Sequence, residues 1–222
     1  LLTGSPYLHL PNIVTHSGAG RIHELRMRPM TLPERGVVKP TVSFGELLHG
    51  DANISGTNTQ FKLENYVEEI VASGFPGIRT LTPVARQAQL DSYLKNIVQK
   101  DMKEAGLNLR KPEAVTSWLR SYAAATSTTS TWETIRNALS PGEKTPARST
   151  IKPYIEVLQM LRIVEEVPAW LPGNNRFQSL IQTPKHHLVD PALAARISGM
   201  TIKKLITPGR AKGVLPLDGT FL

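Results

Sequence analysis

Basic residues at one-turn spacing are the plainest chemistry in this chain. Arg148 and Lys152 stand four residues apart, with Lys144 just before them and Arg176 further on. On a helix that spacing places Arg148 and Lys152 on one face. Cations set beside phosphates release counterions and supply sequence-independent affinity for nucleic acid. Glu156 and Gln159 continue the same face, and a carboxylate in its middle repels phosphate. Histidine offers less. His186 and His187 lie near Asp190, but neighbouring residues on a strand point to opposite faces, so both rings cannot share one ion. They are expected to be structural. His9, His16 and His23 recur every seven residues without a predicted helix to align them. The sequence thus predicts no metal site. No Ser/His/Asp grouping and no pair of catalytic carboxylates emerges. Trp118 and Trp170 are expected to anchor the core rather than to stack on bases.

Composition narrows the classes. The chain has 222 residues, 40% of them apolar and none of them Cys. That is enough apolar material for a core, and disulfide or thiolate chemistry is excluded. The net charge is +8, of which residues 1–110 hold +2 and residues 111–222 hold +6. A basic second half suits an acidic partner such as DNA. It suits an ordinary solvated surface as well. No apolar run approaches the roughly 18 residues of a membrane span, and no signal-peptide pattern opens the chain. The expectation is a cytoplasmic protein without a membrane partner.

The elements that must position these residues are mostly helices. Leu25 and Met27 alternate with Glu24, Arg26 and Arg28, which predicts a half-buried strand. Residues 44–48 read as a short, partly apolar turn. Leu63, Tyr66, Val67, Ile70 and Val71 form the stripe of a first helix, stopped by Gly74 and Pro76. Leu90 to Met102 carries a longer stripe that ends near Gly106. A third helix follows Pro112, with Val115, Trp118, Leu119, Tyr122 and Ala123 on one face. A short helix is expected over 132–139, capped by Ser130 or Thr131; with Ser130 as cap, Glu133 would complete a capping box. Ile151, Tyr154, Ile155, Leu158 and Leu161 mark the next helix, with Ser149 or Thr150 as cap and Pro153 in its first turn. Two strands around Pro-Gly-Asn-Asn and a short helix from Pro191 complete the pattern. Helix, short helix, helix, hairpin over 112–190 is the order of a winged helix-turn-helix. Its third helix can enter a major groove, while the wing touches backbone.

The order and spacing of "LLTGS", "GAGRIHELRMRPMTLPE", "YVEEIVASGFPGIR", "LDSYLKNIVQKDM", "LRIVEEVPAW" and "TPKHHLVDPALAARISG" resemble those of a known family. Its members are bacterial and archaeal predicted AAA-type P-loop ATPases, whose C-terminal part belongs to a large domain family of unknown function. The resemblance implies, in turn, the fourth strand of the ATPase sheet, the next strand with its Pro-x-Ser/Thr-x-x-Glu ending, a helical lid, and a winged helix. There are departures. Ser73-Gly74 stands where the family usually has Gly-Gly, and Lys100-Asp101 where it usually has Arg-Asp. No G-x-x-x-x-G-K-[ST] loop occurs anywhere in the chain, so nothing here cradles phosphates.

The resemblance therefore implies an internal fragment: mainly α, α+β overall, with a remnant of the ATPase sheet over 1–40. A helical lid spans 41–108, a winged helix-turn-helix 109–192, and a tail 193–222 leads towards a missing, often nuclease-like domain. In the parent, Thr3 and Ser5 stand where a hydroxyl senses the γ-phosphate or orients water, and Arg21 where an arginine finger can lie. ATP and Mg²⁺ would be cofactors of the full-length parent, with none expected for this fragment, which should not hydrolyse ATP alone. Asp101 and Lys185 match family positions, with a buried ion pair as the default. The winged-helix module is expected to bind DNA or a protein partner under nucleotide control. The alternatives are a DNA-binding regulator without ATPase activity and a protein-interaction or homo-oligomerisation module. Residues 1–40 are expected to be poorly ordered, repacked on the helices, or paired with another chain.

Overall fold

In the computed structural model, residues 25–50, 60–109, 111–138, 145–170 and 182–206 are described. They form a mainly helical protein built around α6, Pro112–Ala124. Pro112 opens this helix where a missing N–H costs nothing. Its stripe of Val115, Trp118, Leu119, Tyr122 and Ala123 is wholly buried, because apolar residues at this period need a surrounding partner on one side.

The helical body opens with three elements. They are α2 (Leu63–Ala72), the one-turn α3 (Pro76–Arg79) and α4 (Pro83–Asn96), after the exposed α1 (Phe44–His49). α4 runs on through a π-helical turn, Ile97–Asp101, into α5, Met102–Glu104. The Met102 amide donates to the Ile97 carbonyl across this wide turn. Ile97, Val98 and Met102 are all buried as a result, and Gly106 ends the run with φ +89°.

After α6 come α7 (Trp132–Asn137) and α8 (Arg148–Met160), then β1 (Val164–Val167) and β2 (Lys185–Leu188). The strands are antiparallel, from Val164 opposite Leu188 to Val167 opposite Lys185. Thr126 bridges to His186 on the other edge of β2. There the Ser127 amide donates to the His186 carbonyl at 2.7 Å, and the His186 amide to the Thr128 carbonyl at 3.1 Å. The stretch between α6 and α7 thus flanks β2 opposite β1. α9 (Pro191–Ile197) packs against α2, α4, α6 and β2, and α10 (Ile202–Ile206) against α2.

Several expectations change. Residues 25–28 form no strand, and Leu25 and Met27 are 84% and 88% exposed. The alternation is real, but its charged side faces the protein: Arg26 and Arg28 both hold Glu165. α8 starts at Arg148 with Ala147 as its cap, so Pro153 lies inside the helix rather than in its first turn. Thr131, not Ser130, caps α7 and accepts from the Thr134 amide at 3.1 Å. Glu133 is therefore no part of a capping box. Trp118 is buried, whereas Trp170 is 84% exposed beyond β1, where no element covers it among the described residues. Lys185 is exposed at the start of β2, so it makes no buried pair with Asp101.

Candidate functional site

α8 does present Arg148 and Lys152 to solvent, their side chains 78% and 79% exposed. Both already have carboxylate partners. Arg148 Nε donates to Glu133 Oε2 at 2.7 Å, and Lys152 Nζ lies 3.8 Å from Glu156 Oε1 one turn on. Glu133 also takes Arg136, whose other end donates to the Pro146 carbonyl at 3.2 Å. Hydrogen bonds from Arg148 lead the causes that hold the Glu133 carboxyl below its ordinary range. The face is thus a ladder of exposed ion pairs. Such pairs contribute about 0–1 kcal/mol each, so a phosphate can displace them. Gln159 is turned to Glu166 at 3.2 Å. Thr3, Ser5, Arg21, Lys144 and Arg176 lie outside the described residues.

An aromatic cluster joins α6, α7 and β2. Trp118, Tyr122 and Trp132 stack with ring centroids 5.2–6.1 Å apart, and His186 meets Trp132 edge-on at 4.6 Å. His186 Nε2 is 2.7 Å from the Ser130 carbonyl, which fixes the 126–131 stretch beside β2. The Tyr122 hydroxyl donates to the Glu165 and His187 carbonyls at 3.2 and 3.3 Å, and burial raises its pKa far above the usual phenol range. His186 is buried and His187 half-buried on the opposite face, as alternation requires. No group of three His, Asp or Glu among the described residues could hold a metal.

A second constellation joins three distant stretches. Asp190 is buried; its Oδ2 accepts from Ser73 Oγ at 2.9 Å and the Gly74 amide at 2.7 Å, and its Oδ1 from the Ala192 amide at 2.7 Å. The last of these caps α9. The Gly74 carbonyl accepts from the Met30 amide at 2.8 Å. Next to it Arg35 reaches the Met30 carbonyl at 2.8 Å and Glu69 Oε2 at 3.1 Å, and Arg79 closes on the same carboxylate at 2.5 Å. Thr31 donates to Glu34 through its amide and hydroxyl at 2.7 and 2.8 Å, which shapes the turn that delivers Arg35. Ser73 shows in the sequence only as a departure from the usual Gly-Gly, and Glu69 does not stand out at all. A Ser before Gly-Phe-Pro carries no charge, and Glu69 reads as one more solvated helix residue.

This helical body, from the first residue of α2 into α10, is the span that a family model matches: the domain of unknown function DUF8612, residues 63–204. The chain belongs to that family. The DUF8612 span takes in α2–α10 and both strands, and leaves α1 and residues 25–50 outside it. No curated protein and no solved structure matches the chain. Among the described residues of this DUF8612 protein, no helix is long and apolar enough to cross a membrane.

Proposed function

We propose that this chain is the lid and winged-helix part of an AAA-type P-loop ATPase, and that its winged helix contacts DNA through α8 under nucleotide control. The observation that supports the reading is the contact of the 126–128 stretch with the free edge of β2. Between α6 and α7, Thr126 makes a single parallel bridge to His186 of β2, while β1 pairs antiparallel with the other side of β2. Winged helices carry an edge strand between their first and second helices, the place this bridge occupies, and on that reading α8 is the helix that would enter the groove. Arg148 and Lys152 are the exposed cations in position for phosphates. In the parent, ATP and Mg²⁺ would bind upstream, and the lid would shift with nucleotide state; Thr3, Ser5 and Arg21 keep their proposed sensor and arginine-finger roles there.

Fluorescence anisotropy of the chain with duplex DNA across a salt series tests the DNA contact. Replacing Arg148 and Lys152 together by Gln should weaken binding and lower the salt slope by about 1.8, at roughly 0.9 per phosphate contact. Absence of salt-dependent binding by the intact chain overturns this half of the proposal. The other half requires a G-x-x-x-x-G-K-[ST] loop encoded upstream of Leu1, and a reading frame without one overturns it. A second reading, a protein-interaction or oligomerisation module, is favoured by Glu133 and Glu156, which already hold the exposed cations of α8.

A further inference from the structure

Ser73 occupies a conformation that side chains avoid. Its φ of 71° and ψ of 152° fall in a region that is essentially reserved for glycine. A residue with a Cβ held there is roughly tenfold to a hundredfold less populated than in a relaxed conformation, so the surroundings must over-determine it. What holds Ser73 is visible. Its hydroxyl donates to Asp190 Oδ2 at 2.9 Å and accepts from the Phe75 amide at 3.1 Å. The same carboxylate oxygen takes the Gly74 amide at 2.7 Å. One buried carboxylate thus grips two consecutive residues of the turn from 117 positions away in sequence.

The two sides of this contact are not equally anchored. Asp190 leads into α9, whose Ala192, Leu193, Ala194 and Ala195 are all buried between α2, α4, α6 and β2. On the other side, residues 29–37 bond to the body chiefly through Met30 on Gly74 and Arg35 on Glu69. Movement of the turn must therefore displace the segment before it displaces α9.

We propose that Ser73 and Asp190 form a strained latch: the buried carboxylate holds the 73–75 turn in a conformation Ser73 itself disfavours, and breaking that contact releases the turn together with residues 29–37. The latch is a property of this chain and does not depend on nucleotide or DNA.

Hydrogen exchange of the whole chain, read at the Met30, Gly74 and Ala192 amides with α6 amides as reference, tests it. Ser73→Ala keeps the strain and loses the hydroxyl, so exchange at Met30 and Gly74 should rise at least about tenfold while α6 stays unchanged. Ser73→Gly loses the same hydroxyl but removes the strain, so its exchange should lie several-fold below that of the Ala variant. Asp190→Asn should behave as Ser73→Ala at Met30 and Gly74. Equal exchange in the Ala and Gly variants overturns the stored strain. Unchanged exchange at Met30 in Ser73→Ala overturns the latch. A uniform rise that includes α6 also overturns it, because the contact would then serve global stability alone.

Discussion

Gly74→Ala is the sharpest perturbation of the junction. A Cβ at Gly74 would stand 2.8 Å from Pro29 Cβ, 2.8 Å from Arg35 Nη2 and 2.9 Å from the Met30 carbonyl oxygen. A proline ring and a backbone oxygen cannot rotate aside, and Arg35 is tied to Met30 and Glu69. Either the segment moves out or the turn moves in, and the Met30–Gly74 hydrogen bond at 2.8 Å lengthens in both cases. Overpacking of this kind costs about 1–3 kcal/mol. Gly77, three residues on, is the internal control: it lies within α3 and nothing comes within 4 Å of its added Cβ. Ala there removes the helix penalty of Gly, a gain of about 0.5–1 kcal/mol. At about 2–4 °C per kcal/mol for a chain of this size, Gly74→Ala should lower Tm by roughly 2–12 °C and Gly77→Ala raise it by roughly 1–4 °C. Thermal unfolding followed by far-ultraviolet circular dichroism decides the matter, with limited proteolysis reporting release of residues 29–37. Tm shifts of the same sign and size at the two glycines would refute the reasoning.

Two further predictions follow from the ion pairs and the caps. Burial pushes the Glu69 carboxyl up, but hydrogen bonds and charge from Arg79 and Arg35 outweigh it, so its folded pKa lies below 4.5. The unfolded chain then binds the proton more readily, so this stabilisation is complete above pH 4.5 and lost as pH falls below it. Glu69→Gln should flatten that acid limb and cost about 2–4 kcal/mol in urea unfolding at neutral pH, because the Arg35 side chain, 7% exposed, loses its counter-charge; an unchanged acid limb counts against it. At the start of α7, Thr131→Ala should cost about 1 kcal/mol and Ser130→Ala markedly less, since Thr131 accepts from the Thr134 amide; equal losses would return the cap to Ser130.

Local chemistry was enough to read most of the helices. The stripes of α2, α6 and α8, Pro112 and Pro191 at helix starts, and Gly106 at a helix end are signals carried within a few residues. The antiparallel pairing of β1 with β2 was legible in the same way, and so was the placement of His186 and His187 on opposite faces. What depended on distant partners was not. Arg26 and Arg28 turn towards the protein surface only because Glu165, more than 130 positions away, receives them. Arg148 reads as a free phosphate binder until Glu133, 15 positions away, is placed beside it, whereas Glu156, one turn from Lys152, was already legible on the same face. Trp170 looks like a core residue by type and is exposed because nothing packs over the end of β1 among the described residues. Ser73 is the extreme case: its type argues against its own backbone conformation, and only the carboxylate of Asp190 makes that conformation the stable one. The sequence by itself determined where most helices lie and which side they turn to the core, because period and breakers act within a turn or two of chain. The first residues of α4 and α8 and the whole of α1 were not read from it. Tertiary structure alone decided which charges are paired and which turn is strained, because those energies depend on groups the chain brings together from far apart.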